Sequence, residues 1–418
     1  MLSKAIKYNT NSVATDNKYF LILFIVWPFL AFVFAILNYS RPIAKKIVYL
    51  FMVYIGLTFV VNIFADGAEY ARRLVKFSYL PFSDFYQMIG GMYSSDTTVD
   101  IVQPLITFIV SRFTSHYSAL FAVFAAVFSI AHVKSINLLY NRFKENMGWH
   151  TYLFMAFFVF ILPVTAINGF RMWTAIWIFF YGAYYVILYK DARYLLITLS
   201  ACLVHFSMIS VNALLVIYYF AGNRNSIYFS LAVLSFILPS FMGPVFEVIS
   251  QKLGGALETR YEMYSNEEYA SGRRQTMQQA IWYVSFGRDI IFYYLSIAIM
   301  IVGYTYRNIE IKKEDKNLYS FLLLLISFVN FGKTIPSFGG RFQILFVLFG
   351  TLYMLMYYIK KPTGRVYPLA LIGVFPMLIF AALQFRNAAD CINAWIITPG
   401  FCLPLFVTEI SLSDFLFN

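Results

Sequence analysis

An all-α polytopic membrane protein is the expectation for this 418-residue chain, on three observations. Hydrophobic residues make up 61% of it and charged residues only 12%, about half of the roughly 25% usual in soluble chains. Aromatic residues add up to 20%, with 46 Phe and 33 Tyr, so a water-soluble fold would leave much apolar surface wet. The apolar residues also fall in runs of about 17–25, the length a helix needs to cross a bilayer.

Residues 1–18 are polar and carry no short apolar core with a small-residue cleavage site, so no removable signal peptide is expected. Spans follow at 19–37, 47–64, 118–133, 151–167, 172–189, 194–220, 226–242, 289–306, 319–337, 342–359 and 366–385. With the weaker segment 101–113 this gives about 11–12 transmembrane helices. That segment is too short to cross comfortably and has Pro104 near its start, so it is read as a dipping segment. The whole chain, 1–418, is one integral membrane domain, and its polar stretches 65–100 and 243–288 are two long outer-face loops. No internal repeat or hydrophilic domain interrupts the series.

Orientation follows from Lys and Arg in short loops, which favour the inside. Arg41/Lys45/Lys46, Lys134/Arg142/Lys144, Lys190/Arg193, Arg307/Lys312/Lys313/Lys316 and Lys360/Lys361/Arg365 mark inside loops. Together with Arg224 these loops carry nearly all of the formal net charge of +12, so the charge reports topology and no nucleic-acid partner is expected. Lys4, Lys7 and Lys18 compete for the inside, and the arrangement adopted places the N-terminal tail outside.

Parity then constrains 194–220. Both Lys190/Arg193 and Arg224 lie inside, so this run must enter and return on one side. Its polar break is His205-Phe206-Ser207, which puts His205 at the turn between two half-helices. Non-helical backbone at that depth is tolerated only where protein or a wet cavity surrounds it.

In a chain so poor in charge, ionisable residues near membrane depth are informative, since a charge at a helix centre costs about 2.5–3.5 kcal/mol on insertion scales. Arg171 lies between two spans with almost no loop, His205 sits at the turn, and Arg341 follows Gly339-Gly340 with Lys333 upstream. Singly, the two Arg read as anchors to the outer headgroups and the His as a hydrogen-bonded core residue. Together on one side they describe an anion site, because Arg grips phosphate through a planar fork of donors. The substrate class suggested is a phosphate or pyrophosphate at the outer leaflet.

The first outer loop adds Asp66, Glu69 and Tyr70, then Asp96 and Asp100 before the dipping segment. A carboxylate there can act as general base for a sugar hydroxyl, or can simply cap a turn at Asp66-Gly67. Arg260 to Tyr264 and Glu267-Glu268-Tyr269 in the second loop suit carbohydrate or an interfacial helix equally. The chain has no phosphate-binding Gly-Lys-Ser/Thr loop, dinucleotide glycine pattern or His-Glu-x-x-His, and only four His, so no cofactor or dedicated metal site is expected. Cys202 reads as a packing residue; Cys391 and Cys402 fall in the outer tail, where a disulfide is possible.

The run Ile167-Asn168-Gly169-Phe170-Arg171-Met172-Trp173-Thr174-Ala175, the aromatic helix to Tyr189-Lys190, and Leu203-Val204-His205-Phe206-Ser207 resemble the central signature of the EpsG-like family. These are Wzy-type polymerases of bacterial exopolysaccharide and O-antigen repeat units. Asp66 with Tyr70, and Arg341-Phe342, are similar to its outer elements, and the likeness covers roughly residues 60–350. One departure is Val102-Gln103-Pro104-Leu105, which keeps the family's proline but has no acid before it. A catalytic base would then have to be Asp66, Glu69 or Asp100.

The resemblance implies transfer of a glycan from undecaprenyl pyrophosphate to the non-reducing end of another lipid-linked repeat, at the outer face of the bacterial cytoplasmic membrane. It implies catalytic roles for Arg171, His205, Asp66 and Arg341, and substrate contacts from Asn168, Tyr70, Glu69, Lys333 and Ser207. It also implies no cofactor, and a partner protein that regulates chain length. Two other classes stay open from the residues alone: a transporter or flippase of lipid-linked sugars, and a membrane acyltransferase acting on surface polysaccharide.

Overall fold

Several apolar runs of this chain are broken into shorter helices, at Trp27-Pro28 and at His205-Phe206-Ser207 among them. The computed structural model describes residues 10–62, 65–91, 100–146, 148–238, 248, 252, 282–305, 313–333, 338–360, 366–400 and 410–417. Among these the architecture is all-α, and the helices are numbered in chain order. They are α1 (Thr10–Val26), α2 (Pro28–Leu37), α3 (Pro42–Leu57), α4 (Asp66–Ser78), α5 (Phe82–Gly91) and α6 (Val102–Ser111). The next are α7 (Tyr117–Phe143), α8 (Trp149–Ile161), α9 (Phe170–Tyr189), α10 (Leu195–Val204), α11 (Met208–Ala221) and α12 (Asn225–Ile237). The last long ones are α13 (Trp282–Thr305), α14 (Lys313–Gly332), α15 (Gly339–Lys360) and α16 (Val366–Ala389).

Among the described residues five stretches are long and apolar enough to cross a membrane: Tyr117–Asn146, Trp149–Tyr189, Val284–Tyr304, Gly339–Tyr357 and Pro368–Ala389. Six further apolar helices have 10–17 residues. The chain is thus a multi-pass membrane protein in which several expected spans are built from shorter pieces. The run 19–37 is broken at Trp27, where Pro28 opens α2 at a position whose missing N–H costs nothing. The stretch Trp149–Tyr189 is two helices, not one. Phe158 packs edge-on against Trp177 (ring centroids 5.5 Å), and the Trp177 indole donates to the Leu162 carbonyl at 3.2 Å, so the chain reverses between α8 and α9.

One end of the bundle is knotted by the basic groups. Arg142, in the last turn of α7, pairs with Glu314 of α14 at 2.8 Å and donates to the Tyr189 hydroxyl at 3.0 Å. Lys190 ends α9 in a left-handed conformation (φ 57°), and its amine sits 3.9 Å from the centre of the Tyr218 ring. Tyr218 donates to the Asn317 carbonyl at 2.9 Å, and Asn317 takes a hydrogen bond from Asn223 at 2.8 Å and gives one to the Leu188 carbonyl at 3.3 Å. The ends of α7, α9 and α11 and the start of α14 therefore meet, which gathers groups expected in three inside loops.

The run 194–220 does enter and return on one side. Tyr194, just before α10, stacks on Tyr185 (4.0 Å, 16°), and α11 ends near Tyr218, so both outer limits of the pair lie at the basic end. Between them His205 is extended (φ −149°, ψ 119°). Buried Asn212 clamps the two halves, donating to the carbonyls of Thr198 and Met208, both at 2.9 Å. Gly182 lets α10 approach α9, since a Cβ there would lie 2.8 Å from the Thr198 methyl.

Helix α6 comes from the other direction. The Ile101 amide donates to the Leu203 carbonyl at 3.2 Å, so the start of α6 meets the tip of α10 inside the protein. Above it, α4 and α5 pack on α6 around a small separate core of Phe77, Phe85 and Phe108. Arg112 holds this lobe, donating to the carbonyls of Phe77 and Leu80 with its guanidinium 4.4 Å from the Phe108 ring centre. In the main core α15 is enclosed by its neighbours, whereas α16 presents most of its surface outward.

Candidate active site

The site is assembled from helix beginnings and two non-helical residues, Asp100 and His205, at the end of the bundle opposite the basic knot. Twenty residues of α9 separate the two, about 30 Å at 1.5 Å per residue. On α4, Asp66, Glu69, Tyr70 and Arg73 fall at i, i+3, i+4 and i+7, a single helical face. Asp66 and Glu69 stand in the first turn, where the helix dipole favours anions. Tyr70 is buried and meets Phe124 of α7 edge-on (5.6 Å, 82°), which fixes its ring beneath α9.

Arg171, the second residue of α9, reaches three partners. Its Nε donates to the Tyr70 hydroxyl at 3.3 Å and its Nη1 to Asp100 Oδ2 at 3.1 Å. Its Nη2 lies 3.9 Å from Asp66 Oδ2. Asp100 is 4% exposed and accepts twice more: His205 Nδ1 is 3.1 Å from Oδ2, and the Phe206 amide donates to Oδ1 at 2.8 Å. The far ring nitrogen of His205, Nε2, lies 3.4 Å from Arg341 Nη1. An unbroken chain of polar contacts therefore runs Tyr70, Arg171, Asp100, His205, Arg341.

The proton pattern follows from donors and acceptors. Nδ1 of His205 faces a carboxylate oxygen and must carry the hydrogen, leaving the Nε2 lone pair toward the Arg341 guanidinium. Burial of Asp100 opposes its charge, but His205, the Arg171 cation and the Phe206 amide outweigh it and hold the carboxyl down at about 2. Asp66 has a side chain 62% exposed and remains the accessible carboxylate beside Arg171. The starts of α6, α9, α11 and α15 also lie here, beginning at Val102, Phe170, Met208 and Gly339, and none of the first three has a side-chain cap. Their amide ends add positive potential to the two guanidiniums. The arrangement can bind an anion, fix one imidazole tautomer and present a wet carboxylate to it.

Of the residues singled out in the sequence, the structure brings Asp66, Tyr70, Arg171, His205 and Arg341 into one cluster. Asn168 packs over Gly67: a Cβ on Gly67 would crowd Asn168 Oδ1, so the amide would have to shift to admit one. Glu69 turns to Arg72 (3.0 Å) and Arg73 (3.8 Å), along its own helix. Ser207 faces α9, with its hydroxyl 3.7 Å from Met172 Sδ. Lys333 points to α13, 3.9 Å from Asp289 and 4.2 Å from the Phe292 ring centre. Asp96, Cys402 and the aromatic-acidic stretch 260–269 lie outside the described residues.

Asp100 was only one of three alternatives for a base, and it proves to be the hub. Arg73 carries no signal in the sequence, and Gln103 stands there only as a departure from the family's acid: Arg73 Nη1 donates to Gln103 Oε1 at 2.9 Å, and Gln103, fully buried, donates to Thr107 at 2.9 Å. A charged residue that opens an apolar segment was the available signal for Asp100. Gln103, the residue in place of an acid, accepts a hydrogen bond from the Arg73 guanidinium without offsetting its charge.

A family model described as the EpsG family matches residues 77–396, which include Asp100, Arg171, His205 and Arg341 but begin after α4's Asp66 and Tyr70. No curated protein and no solved structure matches the chain.

Proposed function

The chain belongs to the EpsG family, and we propose that it is a membrane glycosyltransferase that polymerises lipid-linked oligosaccharide repeat units. The donor is a glycan on undecaprenyl pyrophosphate, and the acceptor is the non-reducing sugar of a second lipid-linked repeat, joined at the outer face of the bacterial cytoplasmic membrane. The carrying observation is the convergence of Arg171 and Arg341 on the Asp100–His205 pair, at the end of the bundle away from the basic knot.

In the reaction, the acceptor hydroxyl attacks the anomeric carbon of the donor as the bond to pyrophosphate breaks. The electron pair leaves with the pyrophosphate, whose charge grows in the transition state. Arg171 and Arg341 supply fixed donors to that charge without reorganising solvent. The hydroxyl proton passes to the exposed carboxylate of Asp66, next to Arg171. The energy of the pyrophosphate bond drives the transfer, so no nucleotide sugar takes part. A chain-length regulator protein and the surrounding lipids are the partners this reading carries.

The test replaces Arg171, His205 and Arg341 singly with Ala and examines the lipid-linked glycans of the parent cell. Single repeat units exposed at the outer face, with long chains lost, is the expected result. Accumulation on the cytoplasmic side would identify a flippase, and full-length chains lacking a substituent an acyltransferase. Unchanged polymer in all three variants sinks the reading.

A further inference from the structure

Asp100 is buried and heavily engaged. Three donors from three different parts of the chain end on its two oxygens: the Arg171 guanidinium at 3.1 Å, the His205 ring at 3.1 Å and the Phe206 amide at 2.8 Å. A carboxylate with three of its about four lone-pair sites taken and 4% exposure is badly placed to take a proton from a sugar hydroxyl. What it is well placed to do is set geometry. Arg171 turns about several bonds, and its Nη1 is pinned by Asp100 while Nε is pinned by Tyr70. His205 has two neutral tautomers, and only the one protonated at Nδ1 suits a carboxylate, which directs Nε2 to Arg341.

The position of Asp100 in the chain strengthens this. It immediately precedes Ile101, whose amide is bonded to Leu203 at the tip of α10. The carboxylate thus sits where two helix tips from opposite ends of the bundle touch, and it bonds across that junction to both His205 and Phe206.

We infer that Asp100 is a positioning residue that holds Arg171 in its working rotamer and locks His205 in the Nδ1-protonated tautomer, so that base duty falls to Asp66. This rests on the polymerase reading for its catalytic consequence, but the imidazole state is a property of the protein alone. An isosteric Asp100→Asn change keeps the shape and offers one acceptor oxygen where three donors converge. His205 must then lose its partner or turn its proton to Nε2, where it meets the Arg341 guanidinium.

Two measurements on the full-length protein decide it. Histidine-selective 15N NMR in lipid reads the tautomer, and the four histidines are few enough to assign His205 by its loss in His205→Gln. Wild type should show His205 neutral with Nδ1 protonated, and Asp100→Asn should change that signature. Polymerisation of lipid-linked repeat units isolated from the parent cells should fall at least about tenfold in kcat, with KM changed less than about threefold, as expected when transition-state alignment is lost and ground-state binding kept. An unchanged His205 signature in Asp100→Asn overturns the inference, as does a wild-type kcat. Asp66→Asn should lose activity while keeping the His205 signature; a changed signature there would move the positioning role to Asp66. If the wild-type protein joins no lipid-linked repeat units, the polymerase reading fails, while the spectrum still judges the tautomer lock.

Discussion

The amide of Ile101 donates to the carbonyl of Leu203 across 3.2 Å, joining the first residue before α6 to the last turn of α10. Each of these helices has ten residues, about 15 Å, and neither crosses a bilayer alone. Their tips satisfy one another's backbone, and the polar side chains of the site stand around that contact. Breaks in helices are tolerated at this depth because the protein itself supplies the missing partners.

Arg171 should not be replaceable by lysine. Its Nε and Nη1 serve Tyr70 and Asp100 at once, and an ammonium group has no such fork. Polymer from Arg171→Lys cells, read as a chain-length ladder on a gel, should drop by about 100-fold or more, the scale of a lost transition-state donor. Tyr70→Phe removes one hydroxyl and should cost only about 3–10-fold, since Asp100 still holds the guanidinium. Normal ladders from the lysine variant would contradict the bidentate role.

Gly67→Ala should loosen the outer lobe. The new methyl would crowd Asn168 Oδ1 and come within 3.2 Å of Phe121 Cζ. Overpacking of this kind costs about 1–3 kcal/mol, visible as a lower melting temperature in detergent. Adding Asn168→Ala removes the obstructing oxygen and should recover part of the loss. If the double variant melts lower than Gly67→Ala, the contact is not the cause.

Acid should release the Asp100 contribution in a defined window. A carboxyl depressed from 3.8 to about 2 stabilises the fold fully above its ordinary value, and the stabilisation disappears as pH falls through about 2. The melting temperature of wild type relative to Asp100→Asn should therefore be constant above about pH 4 and converge below it. A difference that instead vanishes between about pH 6 and 7 would show that Asp100 is not held ionised by its partners.

Asn317→Ala should test the basic knot apart from the chemistry. It deprives Asn223 of an acceptor and the Leu188 carbonyl of a donor at a buried position. The expected loss is about 1–3 kcal/mol of stability, with long-chain polymer still made at permissive temperature. Polymer loss without any fall in melting temperature would mean that this end takes part in the reaction.

Local patterns made much of this readable beforehand. The turn at His205 followed from parity, because basic residues on both sides of an over-long apolar run left no other path. Arg171 stood out because a cation flanked by two spans is costly wherever it has no partner. Asp100 was harder to rank, since its partners Arg171 and His205 lie 71 and 105 residues away, and nothing in the spacing announces that convergence. Lys333 looked like part of the anion site by proximity to Arg341 in sequence, yet its side chain goes to Asp289 and the rings of α13. Side-chain direction on a helix is set by neighbours in space, which a single sequence does not display.

The knot that joins Arg142 to Glu314, Lys190 to Tyr218 and Asn317 to Leu188 fastens four helix ends largely through charged and backbone partners. The outer lobe of α4, α5 and α6 is built instead on three phenylalanine rings. The two ends of the bundle are therefore held by different forces, and salt, which screens charges, should loosen the basic foot while leaving the aromatic lobe untouched.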